Sequence, residues 1–130
     1  MTPKIIYMTN IDRRYFMMRR ALDELIADGE MTASSQVVKT EDGSVWSASW
    51  EEKLRGSALV MIRFMGNTIR TKFWTACMHF LSREGIPYYM DAAGSAEEEC
   101  VERVAAKDIA AMKAYSFYGG LTNYKNLWLY

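Results

Sequence analysis

Four short apolar runs, separated by stretches of helical spacing, constrain this chain more than any other feature. They are KIIYM at 4–8, QVVKT at 36–40, ALVMIRF at 58–64 and IPYYM at 86–90. Each is too short for a helix and rich in β-branched or aromatic residues. Each reads as a strand buried on both faces.

The segments between them carry the helical period. Ile11, Tyr15, Met18, Leu22, Leu25 and Ile26 fall on one helix face, while Asp12, Arg13, Arg19, Arg20, Asp23 and Glu24 cover the rest. Thr9-Asn10 is expected to cap that helix and Gly29 to stop it. Asp42-Gly43 predicts a small hairpin into Val45-Trp46. Ser49-Trp50-Glu51-Glu52 reads as a capping box for a short helix ending at Gly56. Gly66-Asn67 ends the third strand and opens a helix whose stripe is Ile69, Phe73, Ala76, Cys77 and Phe80, stopped by Gly85. Beyond Met90 a second capping box, Ser95-Ala96-Glu97-Glu98, precedes a helix through Val101, Val104, Ala105, Ile109 and Met112. Gly119-Gly120 breaks it, and Leu121–Tyr130 reads as a last helix.

Strands alternating with helices imply a parallel sheet covered on both faces through right-handed crossovers. The expected architecture is a three-layer flavodoxin-like or Rossmann-like α/β domain. It has about four parallel strands in the order 2-1-3-4 and extra C-terminal helices. Ligands of such sheets lie beyond the strand carboxyl ends where the order reverses. That places the candidate crevice at Thr9, Asn10, Gly66 and Asn67, with Asp91 at the end of the fourth run beside it.

The chain has 130 residues, which suits one domain over its whole length. Half of it is apolar and a quarter charged, which excludes disorder as its overall state. Sixteen basic residues balance sixteen acidic ones, so no general attraction to nucleic acid or to an anionic membrane is expected. No apolar run approaches the ~18–20 residues of a membrane span. The opening MTPKIIYMTN is too polar for a secretory signal. Two distant cysteines do not make a disulfide framework. The expected compartment is the cytoplasm.

Several chemistries are missing. There is no GxxxxGK[ST] phosphate loop, and the first strand runs into TNIDRR without a glycine fingerprint. A flavodoxin-type hydroxyl-rich loop is absent. The third strand ends in Met65-Gly66-Asn67, so it offers no phospho-accepting aspartate, and the single His79 has no DxHxxG register. Cys77 and His79 lie about 200° apart on a helix and cannot chelate one ion together. Cys100 has no base beside it, and Met8, Met61, Met65 and Met90 fall in or beside strands, where they fill core. Glu97–Glu99 suit a solvated first helical turn. No catalytic residue and no high-affinity metal site are expected. Arg13 and Arg14, in the first turn of the first helix, stand beside the crevice and could serve an anionic ligand such as one bearing carboxylates.

The segment YGGLTNYKNLWLY resembles the Tyr-x-x-x-Gly-Gly-Pro-x-Asn-Leu-x-Asn-Leu stretch near the N-terminus of cobaltochelatase large subunits and magnesium-chelatase H subunits. Gly119, Gly120, Asn123, Asn126 and Leu127 match in register, while Leu121 and Tyr124 replace the Pro and the first Leu. ALVMIRFMGN, REGIPYYMDAAG and KIIYMTNIDRRYF are similar to further short elements of that N-terminal portion. The resemblance implies a role in tetrapyrrole (corrin or porphyrin) or partner-subunit binding during metal insertion for cobalamin or chlorophyll-type biosynthesis. In that family Co2+ or Mg2+ is a substrate, and ATP is used by AAA+-type partner subunits. The family's proteins are far longer, and their chelation chemistry lies largely outside the matching portion, so no catalytic residue carries over. Asn123 is the candidate contact from the double-glycine segment. A free-standing small-ligand-binding or protein-interaction module is the competing expectation. Leu121, Tyr124, Leu127 and Trp128 make one apolar helix face, which predicts a dimer through this segment.

Overall fold

The computed structural model describes residues 3–41, 44–65, 72–93 and 98–118. Its elements alternate as expected: β1 (Ile5–Thr9), α1 (Asp12–Ala27), β2 (Gln36–Lys39), α2 (Ala48–Leu54), β3 (Leu59–Met65), α3 (Lys72–Arg83), β4 (Tyr88–Ala93) and α4 (Glu98–Tyr118). The four strands form one sheet in the order β2-β1-β3-β4, and every pairing is parallel. β1 is central, with Tyr7 opposite Val37 on one side and Met61 on the other.

β1, β2 and β3 divide their side chains between two cores. Ile5, Tyr7, Val37, Leu59 and Met61 meet Met18, Leu22 and Leu25 of α1 and Ala105 and Met112 of α4. Ile6, Met8, Val38, Val60 and Ile62 meet Leu54 of α2 and Phe73, Trp74, Cys77, Phe80 and Leu81 of α3. The chain is thus a three-layer α/β fold. The four-residue β2 and the six-residue β4 are its edges. Each fully buried aliphatic side chain contributes ~1.5–3 kcal/mol.

Gly29 and Gly85 stop α1 and α3 as read, in the left-handed conformation at φ 77° and 67°. Both sit in the Schellman arrangement. The Glu30 amide donates to Leu25 O and the Gly29 amide to Ile26 O; Ile86 donates to Leu81 O and Gly85 to Ser82 O. Because Ile86 is engaged in closing α3, β4 begins at Tyr88, two residues later than the apolar run suggests.

The helix starts differ from the sequence reading. β1 extends through Thr9, whose side chain is buried, so the N-cap of α1 is Ile11. Thr9 Oγ1 accepts the Ile11 amide at 3.3 Å instead of capping the helix. α2 begins at Ala48 with Ser47 as N-cap, two residues before the expected Ser49. The Ser47 carbonyl already accepts the Trp50 and Glu51 amides, and Glu51 Oε2 accepts the Trp46 indole N–H at 3.0 Å. Val45 and Trp46 form no strand. Val45 is exposed, while Trp46 packs on Phe73 and Phe80, covering the end of the second core. Of the α3 stripe, Ala76 is only partly covered, and Trp74 and Leu81 are buried in addition. The Asp42-Gly43 turn, Ile69, residues 95–97 of the second capping box and everything from Gly119 onward lie outside the described residues.

Candidate ligand-binding site

The carboxyl edge of the sheet is where the strand order reverses, between β1 and β3. Thr9 ends β1 there, in register with Lys39 of β2 and Arg63 of β3. Its carbonyl accepts the Thr40 amide at 2.9 Å, which fixes the turn out of β2. Asn10 follows, half-buried, between β1 and α1. Lys39 pairs with Asp12 at the start of α1 and with Glu41 at 3.0 Å, and these partners raise its pKa.

The two candidate arginines part company. Arg13 is about half exposed and pairs with Glu102 of α4. Arg14 is fully buried. It lies four residues before Met18, on the face that α1 turns to the sheet, so it belongs to the core side of the helix and not to its solvated side. The sequence sets both beside the crevice, and burial separates Arg14 from Arg13.

Beneath the crevice lies a buried polar cluster. Arg63 and Asp108 form a forked pair with side chains only 4% and 3% exposed. Arg63 Nε donates to Asp108 Oδ2 at 3.1 Å and Nη2 to Oδ1 at 2.8 Å. The Tyr7 hydroxyl donates to Asp108 Oδ2 at 2.5 Å. Arg63 Nη2 also donates to the Tyr89 hydroxyl at 2.6 Å. Burial by itself would lower the Arg63 pKa, but the hydrogen bonds and charge of Asp108 raise it above the usual value, so the guanidinium stays charged. Burial first, and then Asp108, push the Tyr7 phenol well above its ordinary value of 10.0; Arg14 and Arg63 oppose this. Tyr7 is therefore a neutral donor across the physiological range.

Tyr7, Arg63, Tyr89 and Asp108 were not among the expected site residues. The signal was present. Arg63 is a charge inside the apolar run ALVMIRF, and Asp108 falls between Ala105 and Met112 on the buried stripe of α4. A charge at a core position of one element predicts an opposite charge at a core position of another.

Thr9, Asn10, Arg13 and Arg14 share one end of the sheet with this cluster. Asp91 stands in β4 in register with Arg63. Gly66, Asn67 and Asn123 lie outside the described residues. Cys77 is core, as read, and burial pushes its thiol up to about 12, so it is no nucleophile at neutral pH. Among the described residues, no three His, Cys, Asp or Glu side chains are grouped to hold a metal ion. No described helix is long and apolar enough to cross a membrane. A groove of about 290 Å³ runs between α1 and the start of β2, past Tyr15, Arg19 and Gln36, away from the carboxyl edge.

Compared with known protein families, curated proteins and solved structures, the chain matches none.

Proposed function

We propose that this chain is a binding domain of the kind found at the N-terminus of tetrapyrrole metal chelatase large subunits. In this reading it takes a carboxylate-bearing tetrapyrrole at the carboxyl ends of β1 and β3. The observation that carries it is the placement of Thr9 at the point where strand order reverses, level with Arg63 across β1 and β3, with Asn10 and Arg13 following it into the start of α1. Open parallel sheets bind their ligands at that point. Guanidinium groups there suit carboxylates, which they hold through paired, charge-assisted hydrogen bonds. The resemblance of the double-glycine segment supplies the ligand class. It also supplies the expected protein partners, the ATP-hydrolysing AAA+-type chelatase subunits, with Co2+ or Mg2+ as the metal substrate of the assembly. The domain itself does no chemistry in this reading. It holds and orients.

The test is an absorbance titration with a carboxylated corrinoid and a carboxylated porphyrin, on the chain and on Arg13→Ala. A saturable shift that weakens about tenfold in the variant is expected. Spectra that stay unchanged with both pigments would refute the tetrapyrrole reading and leave a small-ligand or interaction module.

A further inference from the structure

Among the described side chains of α4, Asp108 makes the hydrogen bonds to the sheet, with Arg63 and Tyr7. Among its described side chains, those at 102–113, the buried ones are Ala105, Asp108, Ala111 and Met112. Two of the four are alanines, which contribute little apolar area. α3, on the other face, buries Phe73, Trp74, Cys77, Phe80 and Leu81. The Asp108–Arg63 pair contributes less than its geometry suggests, because both charges regain water when the helix lifts. Elements that bury little apolar area are the ones that open locally first, and on this face α4 is the candidate. What it covers is a set of donors at the ligand-binding edge, with Arg63 level with Thr9 across β1 and β3.

We propose that Arg63 and Tyr7 form a carboxylate-binding site that Asp108 occupies from within, and that undocking of α4 opens this site to an external carboxylate. The inference rests on the ligand-binding reading above and deepens it by naming the gate. The Arg63 fork offers Nε and Nη2, and the Tyr7 hydroxyl offers a third donor to the same carboxylate. Tyr89 accepts a bond from Arg63 and its ring lies 4.6 Å from the guanidinium carbon, which holds the fork in place. An external carboxylate would take the three bonds that Asp108 now takes. Asp108 is then an internal competitor, and ligand affinity is reduced by the fraction of time that α4 is docked.

Amide hydrogen exchange on the intact chain tests this, in sodium acetate against sodium chloride at matched ionic strength. Acetate is the probe because it reproduces the end of the Asp108 side chain. Amides at 102–113 are expected to exchange at least about tenfold faster than those of β1 and β3. Acetate, and not chloride, should accelerate them further, and the effect should saturate. In Asp108→Asn, which weakens the internal competitor, saturation should fall at about tenfold lower acetate. If α4 exchanges only together with β1 and β3, or if acetate and chloride act alike on the wild-type chain, the proposal is overturned. The wild-type result decides even where the variant fails to fold. No tetrapyrrole is present, so failure here and failure of the pigment titration are separate results.

Discussion

Replacing Tyr7 with Phe removes one oxygen atom from the centre of the molecule and leaves the ring in place. Tyr7 is completely buried, and its hydroxyl donates to Asp108 Oδ2 at 2.5 Å. Losing a hydrogen bond to a charged acceptor costs ~1.5–3 kcal/mol. The void left by a single oxygen adds little, so that range is the expected loss at about pH 7. The pH dependence carries a second, sharper expectation. Burial and Asp108 hold the folded-state phenol well above 10.0, while in the unfolded chain it titrates near its ordinary value. Between those two values the folded chain keeps a proton that the unfolded chain has lost. Stability from Tyr7 is therefore complete below about pH 10 and is lost on raising the pH, by ~1.4 kcal/mol per unit. Phe has no such proton. The gap between wild type and Tyr7→Phe should be constant below about pH 10 and narrow by ~1 kcal/mol by about pH 11. The lysines and the remaining tyrosines contribute to both curves and cancel in the difference. Urea unfolding followed by tryptophan fluorescence measures this directly. Curves that stay parallel to about pH 11, or a loss below ~0.5 kcal/mol at neutral pH, would refute the reasoning.

Asp108→Ala strands the buried Arg63 guanidinium, and a loss of ~3–5 kcal/mol in urea unfolding is expected; a loss under ~1 kcal/mol would mean that the pair is not shielded from water. Gly85→Ala places a Cβ on a residue at φ 67° with nothing within 4 Å of it, so the penalty is conformational alone, ~1–2 kcal/mol by thermal unfolding. The Cys77 thiol should react with a maleimide at the rate of unfolding, checked by mass spectrometry with and without urea. If the C-terminal aromatic segment drives dimerisation, light scattering should report a dimer for the wild-type chain and a monomer for Trp128→Glu.

The fold was legible because its strands sit in a parallel sheet covered on both sides. Such strands are apolar at nearly every position, so KIIYM and ALVMIRF stand out without any alternation to decode. Glycine marked the ends of α1 and α3 because only the left-handed turn closes them in this way. Helix starts were less legible. α2 begins two residues before the serine that capping-box spacing selects, because the Ser47 carbonyl already accepts the Trp50 and Glu51 amides. The site was half legible. Topology gave the end of the sheet and Thr9, but Arg14 was read from its neighbours in sequence and not from its place four residues before Met18. Asp108 was passed over because a lone aspartate on a helix is usually solvated. Only its position between Ala105 and Met112, together with an unexplained arginine in β3, separates it from that majority.

The central place of β1 has a consequence for synthesis. On the ribosome, the strand that natively has every one of its residues covered is made well before β3, with which it pairs from Ile5 against Leu59 to Thr9 against Arg63. Until β3 has left the exit tunnel, the nascent chain carries a sticky five-residue segment with one flank unmatched. That is the kind of stretch that pairs with a neighbouring chain when translation is crowded. A pause or truncation between β2 and β3 should therefore yield aggregates, whereas release after β4 lets the strand close inside its own molecule.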